Sequence, residues 1–328
     1  MLRVIQVGLG PLGRKIVAFA AERPHLRVVA AVDPAPDIVG HDLGELCGLG
    51  ANGVVVAASL EEVGADVAVL TTFSDLRRVE GQLMQLAAAQ LPVISTCEEL
   101  SYPWLDHPDP AFRIDAAFQE AGVACLGTGV NPGFLMDFLP AVLSGLCREV
   151  RHVTVRRVQD ASARRVPFQR KIGAGLSPEE FEARVAEGTL RHVGLPESVQ
   201  FVAAALGRVL DQTEEQLRPV MADRVIESGY VAIQPGMACG VEQIGLGLVD
   251  GREVVRLEFR AAVGEPRSYD QVEIDGEPHI LSTIEGGVNG DTATCAAVLN
   301  MLPVVAASPG GLHTMLDLPI GTVGRGVD

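Results

Sequence analysis

The chain has 328 residues, 48% of them hydrophobic and 4% aromatic, which is apolar material for two domains or one large one. Its 26 basic and 42 acidic residues leave a formal charge of −16, which argues against nucleic acid and anionic membranes as partners. No apolar run approaches the length of a membrane span, and the first strand pattern starts at about Arg3, so no leader is expected.

Val4 to Val7 reads as a short buried strand. Gly8, Gly10 and Gly13 follow at once in G-x-G-x-x-G spacing, with Pro11 and Leu12 completing the loop, and Ile16 to Ala21 continues as an apolar helix. In that setting Gly8 permits a tight turn, Gly10 lets the backbone approach a pyrophosphate, and Gly13 lets the helix pack on the strand. The helix N-terminus offers free N–H groups to phosphate. A second strand, LRVVAAVD, ends in Asp33, an acid placed to accept hydrogen bonds from ribose hydroxyls. The expected cofactor is NAD; Arg14 leaves NADP possible.

Strand and helix then alternate over residues 1–130, with strands at Arg3 to Val7, Arg27 to Val32, Gly53 to Ala57, Val67 to Thr71, Pro92 to Ser95 and Ala124 to Gly127. Leu76 to Gln90 and His107 to Gly122 are the clearest helices. This is the pattern of an α/β fold with a doubly wound parallel sheet of the Rossmann type. Ligands bind beyond the carboxyl ends of such strands. That rule singles out the glycine loop, DPAPDIVG, TTFSD with Thr71 and Thr72, STCEELSYP with Thr96, and GTGVNPGF with Asn131 and Phe134.

Beyond Asp137 the pattern changes. Phe138 to Leu146 reads as a helix, residues 152–159 as a strand, and residues 160–175 as a basic loop. Ser177 to Glu187 and Ser198 to Val209 read as helices. Segments 225–234, 238–248, 253–263 and 269–275 look like antiparallel strands, making a second, α+β domain. Thr292 to Val305, which contains Thr294, returns to helix. The expected division is 1–137 for dinucleotide binding, 138–290 for substrate and dimerisation, and 291–328 returning to the first domain.

The six cysteines, Cys47, Cys97, Cys125, Cys147, Cys239 and Cys295, form no C-x-x-C pair and read as reduced thiols of a cytoplasmic protein. No histidine pair has metal-ligand spacing, so no metal is expected.

The adjacent acids Glu98 and Glu99 end the fifth strand, where a carboxylate beside a partly desolvated cofactor suits proton transfer. The plainer reading is two solvated acids opening a helix. Asn131 reads either as part of a tight turn or as a neighbour of the nicotinamide and substrate. Arg157 and Gln159 share one strand face, where a guanidinium can grip a carboxylate with two prongs, though an arginine on a strand is more often a surface residue. Arg164, Arg165, Arg170 and Lys171 form a basic cluster that anchors an anion or balances local acids. His192 lies in a loop before a helix, where a lone histidine is usually structural.

The stretches VGLGPLG, DPAPDIVGHDLGEL, STCEELSYPW, LGTGVNPGFLMD, RHVGLPES and NMLPVVAASPGGLHTMLDLP together resemble the 2,4-diaminopentanoate dehydrogenases and related native amine dehydrogenases, in the same order and over nearly the whole chain. The N-terminal fold of that family is similar to dihydrodipicolinate reductase, whose His-His…Lys catalytic segment this sequence lacks. The resemblance implies NAD(P)-linked reversible oxidative deamination of a primary amine to a ketone or aldehyde plus ammonia. It places the acid/base glutamate at Glu99, with Glu98 as the fallback, and gives Asn131 a site role. It maps pocket positions to Met136, where relatives carry a large aromatic, and to Arg157 and Gln159, where relatives have Arg-x-Asn. His192 becomes a polar lining residue; Phe134 and Thr294 are counted with the pocket. Expected partners are a small amine or ketone, ammonia, and a second copy in a homodimer. The alternatives are an ammonia-independent carbonyl or semialdehyde reductase and a non-catalytic NAD-binding module.

Overall fold

The computed structural model describes residues 1–60, 64–164 and 166–324, so Arg165 of the basic cluster lies outside the described residues. The chain divides into two compact units, Met1–Phe134 with Asn289–Asp328, and Leu135–Val288.

The first unit begins with β1 (Leu2–Val7), α1 (Pro11–Ala21), β2 (Leu26–Val32), α2 (Leu43–Leu46) and β3 (Val56–Ala57). It continues with β4 (Val67–Leu70), α3 (Leu76–Ala88), β5 (Val93–Ser95), α4 (Pro108–Ala121) and β6 (Ala124–Gly127). Gly13, Ile16, Val17 and Ala20 recur at helical spacing and give α1 its buried face. Asp75 caps α3 by accepting from Arg78 N–H, and α3 buries Leu76, Val79, Leu83 and Leu86. Pro108 opens α4, and Gly122 ends it in the left-handed conformation at φ 71°.

The second unit holds α5 (Phe138–Ser144), β7 (Glu149–Asp160), α6 (Val166–Lys171), α7 (Pro178–Ala186), α8 (Leu195–Ala205), β8 (Gln212–Met221), β9 (Ile226–Glu227) and β10 (Ala232–Ile233). It is completed by β11 (Ala238–Val249), β12 (Arg252–Ala262), β13 (Tyr269–Glu277) and β14 (Ile280–Glu285). The chain then returns to the first unit with α9 (Gly290–Ala306) and β15 (Gly311–His313).

In the first unit the described strands form a seven-stranded sheet in the order β15-β6-β5-β4-β1-β2-β3, and every neighbouring pair is parallel. Its strands are buried on both faces, as β4 shows with four fully covered residues, Val67, Ala68, Val69 and Leu70. All loops at their carboxyl ends therefore emerge on one edge, which is where the residues expected to hold the cofactor and the acid pair lie.

The second sheet runs β14-β13-β7-β12-β11-β8. Here the structure corrects three expectations. The sheet is mixed, because β7 and β12 run parallel while the other neighbours are antiparallel. The segment read as loop, residues 160–175, contains α6. The strand expected over 225–234 is a small pair of two-residue strands, β9 and β10. One face of the large sheet packs on α8 through Val199 and Val202, joined in the core by Val153, Val155, Leu257 and Phe181. Among the described residues no helix is long and apolar enough to cross a membrane.

Candidate active site

The glycine loop shows three different constraints. Gly8 has φ 90°, and a Cβ there would fall 2.7 Å from the Thr71 carbonyl oxygen. A Cβ on Gly13 would lie 2.1 Å from the Gly8 carbonyl oxygen. Gly10 differs: its backbone is ordinary at φ −61°, and a Cβ would meet nothing within 4 Å. Pro11 starts α1, and no side chain caps that helix, so the N–H groups of its first turn are the unsatisfied donors of a helix N-terminus. An uncapped helix start behind a bare, open glycine fits the pyrophosphate of a dinucleotide.

The loop is fixed from beneath by a residue that sequence reasoning passed over. Gln6 is only 1% exposed, and its Nε2 donates to the Gly8 carbonyl at 2.9 Å and to Thr71 Oγ1 at 2.8 Å. Thr71 Oγ1 donates in turn to the Gly8 carbonyl at 2.9 Å. One polar residue in the apolar strand VIQV was the available signal. Asp33 fixes the loop from the side: its Oδ2 accepts from Leu9 N–H at 2.7 Å and its Oδ1 from Ala35 N–H at 2.9 Å. Arg14 Nε donates to the Leu9 carbonyl at 2.8 Å, so both ends of the Leu9 residue are held. Beyond β1, β2 and β4 a cavity of about 170 Å³ opens, lined by Val7, Val32, Pro34, Leu60, Thr72 and Gln82. Thr72 Oγ1 is tied to Gln82 Oε1 at 2.5 Å.

The acid pair sits in a single 3₁₀ turn, Glu98–Leu100, directly after β5. The two carboxylates part. Glu99 is 7% exposed, its Oε2 accepts from Leu76 N–H at 2.8 Å, and His107 Nε2 lies 3.4 Å from the same oxygen. It therefore satisfies a free donor at the start of α3. Glu98 is half-buried. Thr96, also half-buried, is held through its backbone N–H on the Leu70 carbonyl. Burial pushes the neighbouring Cys97 thiol far up, so it stays protonated.

After β6 the loop Thr128 to Phe134 folds tightly on itself, with Gly133 at φ 122° and Asn131–Pro132 in cis. Thr294 of α9 accepts from Val130 N–H at 3.2 Å, which fastens the loop beside half-buried Asn131 and Phe134.

The remaining expected residues belong to the second unit. Met136 is wholly buried in its core. Arg157 donates from Nη1 to Asp270 Oδ1 at 2.7 Å and from Nη2 to the Val288 carbonyl at 3.0 Å. Gln159 donates to that same carbonyl at 3.2 Å. His192 stacks near Phe259, ring centroids 4.6 Å apart, and its backbone N–H donates to Gln243 Oε1 at 2.6 Å. Burial, reinforced by the charges of Lys171 and Arg157, pushes the His192 imidazole from 6.5 down to about 3, so it is neutral.

The first unit thus gathers Gly8, Gly10, Gly13, Asp33, Thr71, Thr72, Thr96, Glu98 and Glu99 on one sheet edge, with Asn131, Phe134 and Thr294 joined by the β6 loop. Arg157 and Gln159 share one backbone partner, whereas Met136 is a core residue.

Comparison with known proteins agrees with this architecture. Residues 134–326 match the 2,4-diaminopentanoate dehydrogenase C-terminal domain, and residues 2–97 match the dihydrodipicolinate reductase N-terminus. The chain is 32% identical to a 2,4-diaminopentanoate dehydrogenase of Acetoanaerobium sticklandii, covering 97% of this chain and 94% of that protein. It is 26% identical to an amine dehydrogenase of Streptomyces virginiae, covering 99% of each. The solved structure of an amine dehydrogenase from Mycobacterium smegmatis shares the fold, with a TM-score of 0.85 at 24% identity over 98% of this chain and 97% of the other. The chain belongs to the 2,4-diaminopentanoate dehydrogenase family and is an NAD(P)-dependent oxidoreductase.

Proposed function

We propose that this protein catalyses the reversible oxidative deamination of a primary amine to a ketone or aldehyde plus ammonia, with NAD preferred over NADP. The relatives named as dehydrogenases of diaminopentanoate and of amines support the reaction class. The observation that carries the reading to this chain is the buried Glu99 carboxylate beside His107, on the same sheet edge as the open glycine loop.

The loop from Gly8 to Gly13, with Pro11 and Leu12, would hold the pyrophosphate. Asp33 would take the ribose hydroxyls on the lone pairs that Leu9 and Ala35 leave open, and a 2′-phosphate would meet its negative charge. Thr71, Thr72, Thr96 and Asn131 would complete the cofactor's surroundings. When bound, the nicotinamide takes or gives a hydride. Glu99 then handles the protons: it takes one from ammonium, returns one to the departing hydroxyl, and its charge steadies the cationic iminium. Glu98 is the second choice for this work. For the substrate we assign Asn131, Phe134 and Thr294 of the first unit and Arg157, Gln159 and His192 of the second, while Met136, enclosed in the core of the second unit, is given no contact with it.

A second copy pairs through the open face of the six-stranded sheet. There Arg156, Arg256 and Arg260 interleave with Glu242, Glu258 and Glu273, and a face carrying both signs suits a two-fold partner of its own kind. Sedimentation at several concentrations reads the pairing, and a monomer at all of them removes it.

The test of function is oxidation of NADH and NADPH with a panel of ketones and aldehydes, with and without ammonia. Ammonia-dependent oxidation is expected. Carbonyl turnover that ignores ammonia would transfer the chain to the carbonyl reductases.

A further inference from the structure

An acid/base carboxylate has to exchange protons with water in every cycle, and Glu99 is only 7% exposed. Deamination turns one protonated amine, one oxidised dinucleotide and one water into one ketone or aldehyde, one ammonium ion, one reduced dinucleotide and one net proton. Amination takes that net proton up again. The Glu99 Oε2 accepts from Leu76 N–H, and against the same oxygen, at 3.4 Å, stands the His107 Nε2. The His107 side chain is 17% exposed, and it sits where the chain comes to the surface, with Leu105, Asp106, Pro108 and Asp109 all exposed around it. Its backbone is held at the start of α4: its N–H donates to the Pro103 carbonyl at 2.9 Å, and its carbonyl accepts from Ala111 N–H at 3.0 Å. The imidazole makes no capping bond to α4, so helix capping does not account for it. A histidine ring can accept a proton on one nitrogen and release one from the other near neutral pH. A contact of 3.4 Å is of the length that catalytic contacts have before the loaded enzyme tightens them.

We propose that His107 is the proton relay of Glu99, a positioning residue that carries the net proton between the buried carboxylate and water. In deamination the Glu99 carboxyl gives its proton to His107 Nε2, and the imidazolium releases the proton on Nδ1 to water. Amination runs both transfers backwards. Only O–H and N–H bonds are made and broken, and the ring regains its starting tautomer by exchange with water. The relay rests on the amine dehydrogenase reading and on Glu99 as its acid/base.

The test is ammonia-dependent NADH oxidation by the full chain at one pH, with imidazole added at several concentrations and constant ionic strength. His107→Ala is expected to lower kcat about tenfold or more, while NADH affinity and the KM for the ketone stay within a few-fold of native. Added imidazole should raise the kcat of that variant toward native and leave the native chain unchanged. His107→Gln keeps a nitrogen donor at similar reach but cannot pass a proton on, so it should be as slow as His107→Ala. Its kcat should also fall more in deuterium oxide than that of the native chain, a readout that stands even where His107→Ala does not fold. Native kcat in His107→Gln reduces His107 to a hydrogen-bond donor and overturns the relay. So does a folded, slow His107→Ala that imidazole does not rescue, or a slow His107→Gln with the native response to deuterium oxide. Unchanged kcat in both variants, beside ammonia-dependent turnover in the native chain, overturns the relay and leaves the amine dehydrogenase reading intact. A native chain without ammonia-dependent turnover removes that reading and the relay together.

Discussion

Arg157 and Asp270 meet at 2.7 Å with side chains 3% and 5% exposed, and together they clamp the Val288 peptide from both sides. Arg157 donates to the Val288 carbonyl, and Asp270 accepts from the Val288 N–H at 2.8 Å. Burial pushes the Asp270 carboxyl up against the pull of the guanidinium. An arginine two positions from a glutamine on a strand reads in sequence as a ligand grip. In the fold, one of its donors holds the carbonyl of Val288, the last residue of the second unit, and another holds the Asp270 carboxylate that accepts from the Val288 N–H.

Removing one partner of this pair is therefore expected to be costly. Asp270→Ala leaves a guanidinium buried without its counter-charge and should cost about 3–5 kcal/mol in urea unfolding. The double variant Arg157→Met with Asp270→Leu should recover most of that loss. A cost below about 1 kcal/mol for Asp270→Ala would mean that the charge escapes to water.

The glycine loop gives a second contrast. Gly10→Val places its side chain in open space on an ordinary backbone, so the protein should fold with native stability and lose dinucleotide binding. Gly13→Ala drives a methyl group into the Gly8 carbonyl and should lower both stability and binding. Thermal unfolding and NADH fluorescence titration separate the two effects. Native NADH affinity in Gly10→Val would place the phosphates elsewhere.

Asp33 holds the loop and is assigned the ribose. Asp33→Ser should weaken NADH binding and raise the NADPH to NADH ratio of kcat/KM by about tenfold or more, because a like-charge contact is removed. An unchanged ratio would confine Asp33 to its bonds with Leu9 and Ala35.

His192 makes stability depend on pH. Its imidazole titrates at about 3 when folded against an ordinary 6.5, so the unfolded chain binds the proton more readily. The contribution is complete above about pH 6.5 and is lost as pH falls toward 3. Between pH 7 and pH 5 it amounts to about 2 kcal/mol. Urea midpoints at the two pH values should draw closer by that amount in His192→Gln. An equal pH response in both proteins would mean that the folded imidazole takes up a proton.

Sequence reading succeeded where a residue's task depends on its neighbours in the chain. The strand, glycine turn and helix of residues 2–21, the parallel sheet that follows and the periodic faces of α1 and α3 are of that kind. It missed elements with little apolar signal: β8 is an edge strand of largely polar residues, QTEEQLRPVM, and β15 has only three residues. It read α6 as loop because the six-residue helix is basic and contains Pro167. The acid pair shows the limit most clearly. Both carboxylates looked alike in sequence, and Glu99 differs from Glu98 because the start of α3, 23 residues earlier, supplies a donor and His107 lies against the same oxygen. Gln6 was overlooked for the same reason, since its partner Thr71 lies 65 residues away.

The most direct measurement compares Glu99→Gln with Glu98→Gln in ammonia-dependent NADH oxidation, with NADH affinity measured in parallel. Glu99→Gln should bind NADH as tightly as the native chain and lose about a hundredfold or more in kcat, while Glu98→Gln stays within a few-fold of native. Native turnover in Glu99→Gln would contradict the assignment, and a matching collapse in Glu98→Gln would move the proton work to that residue.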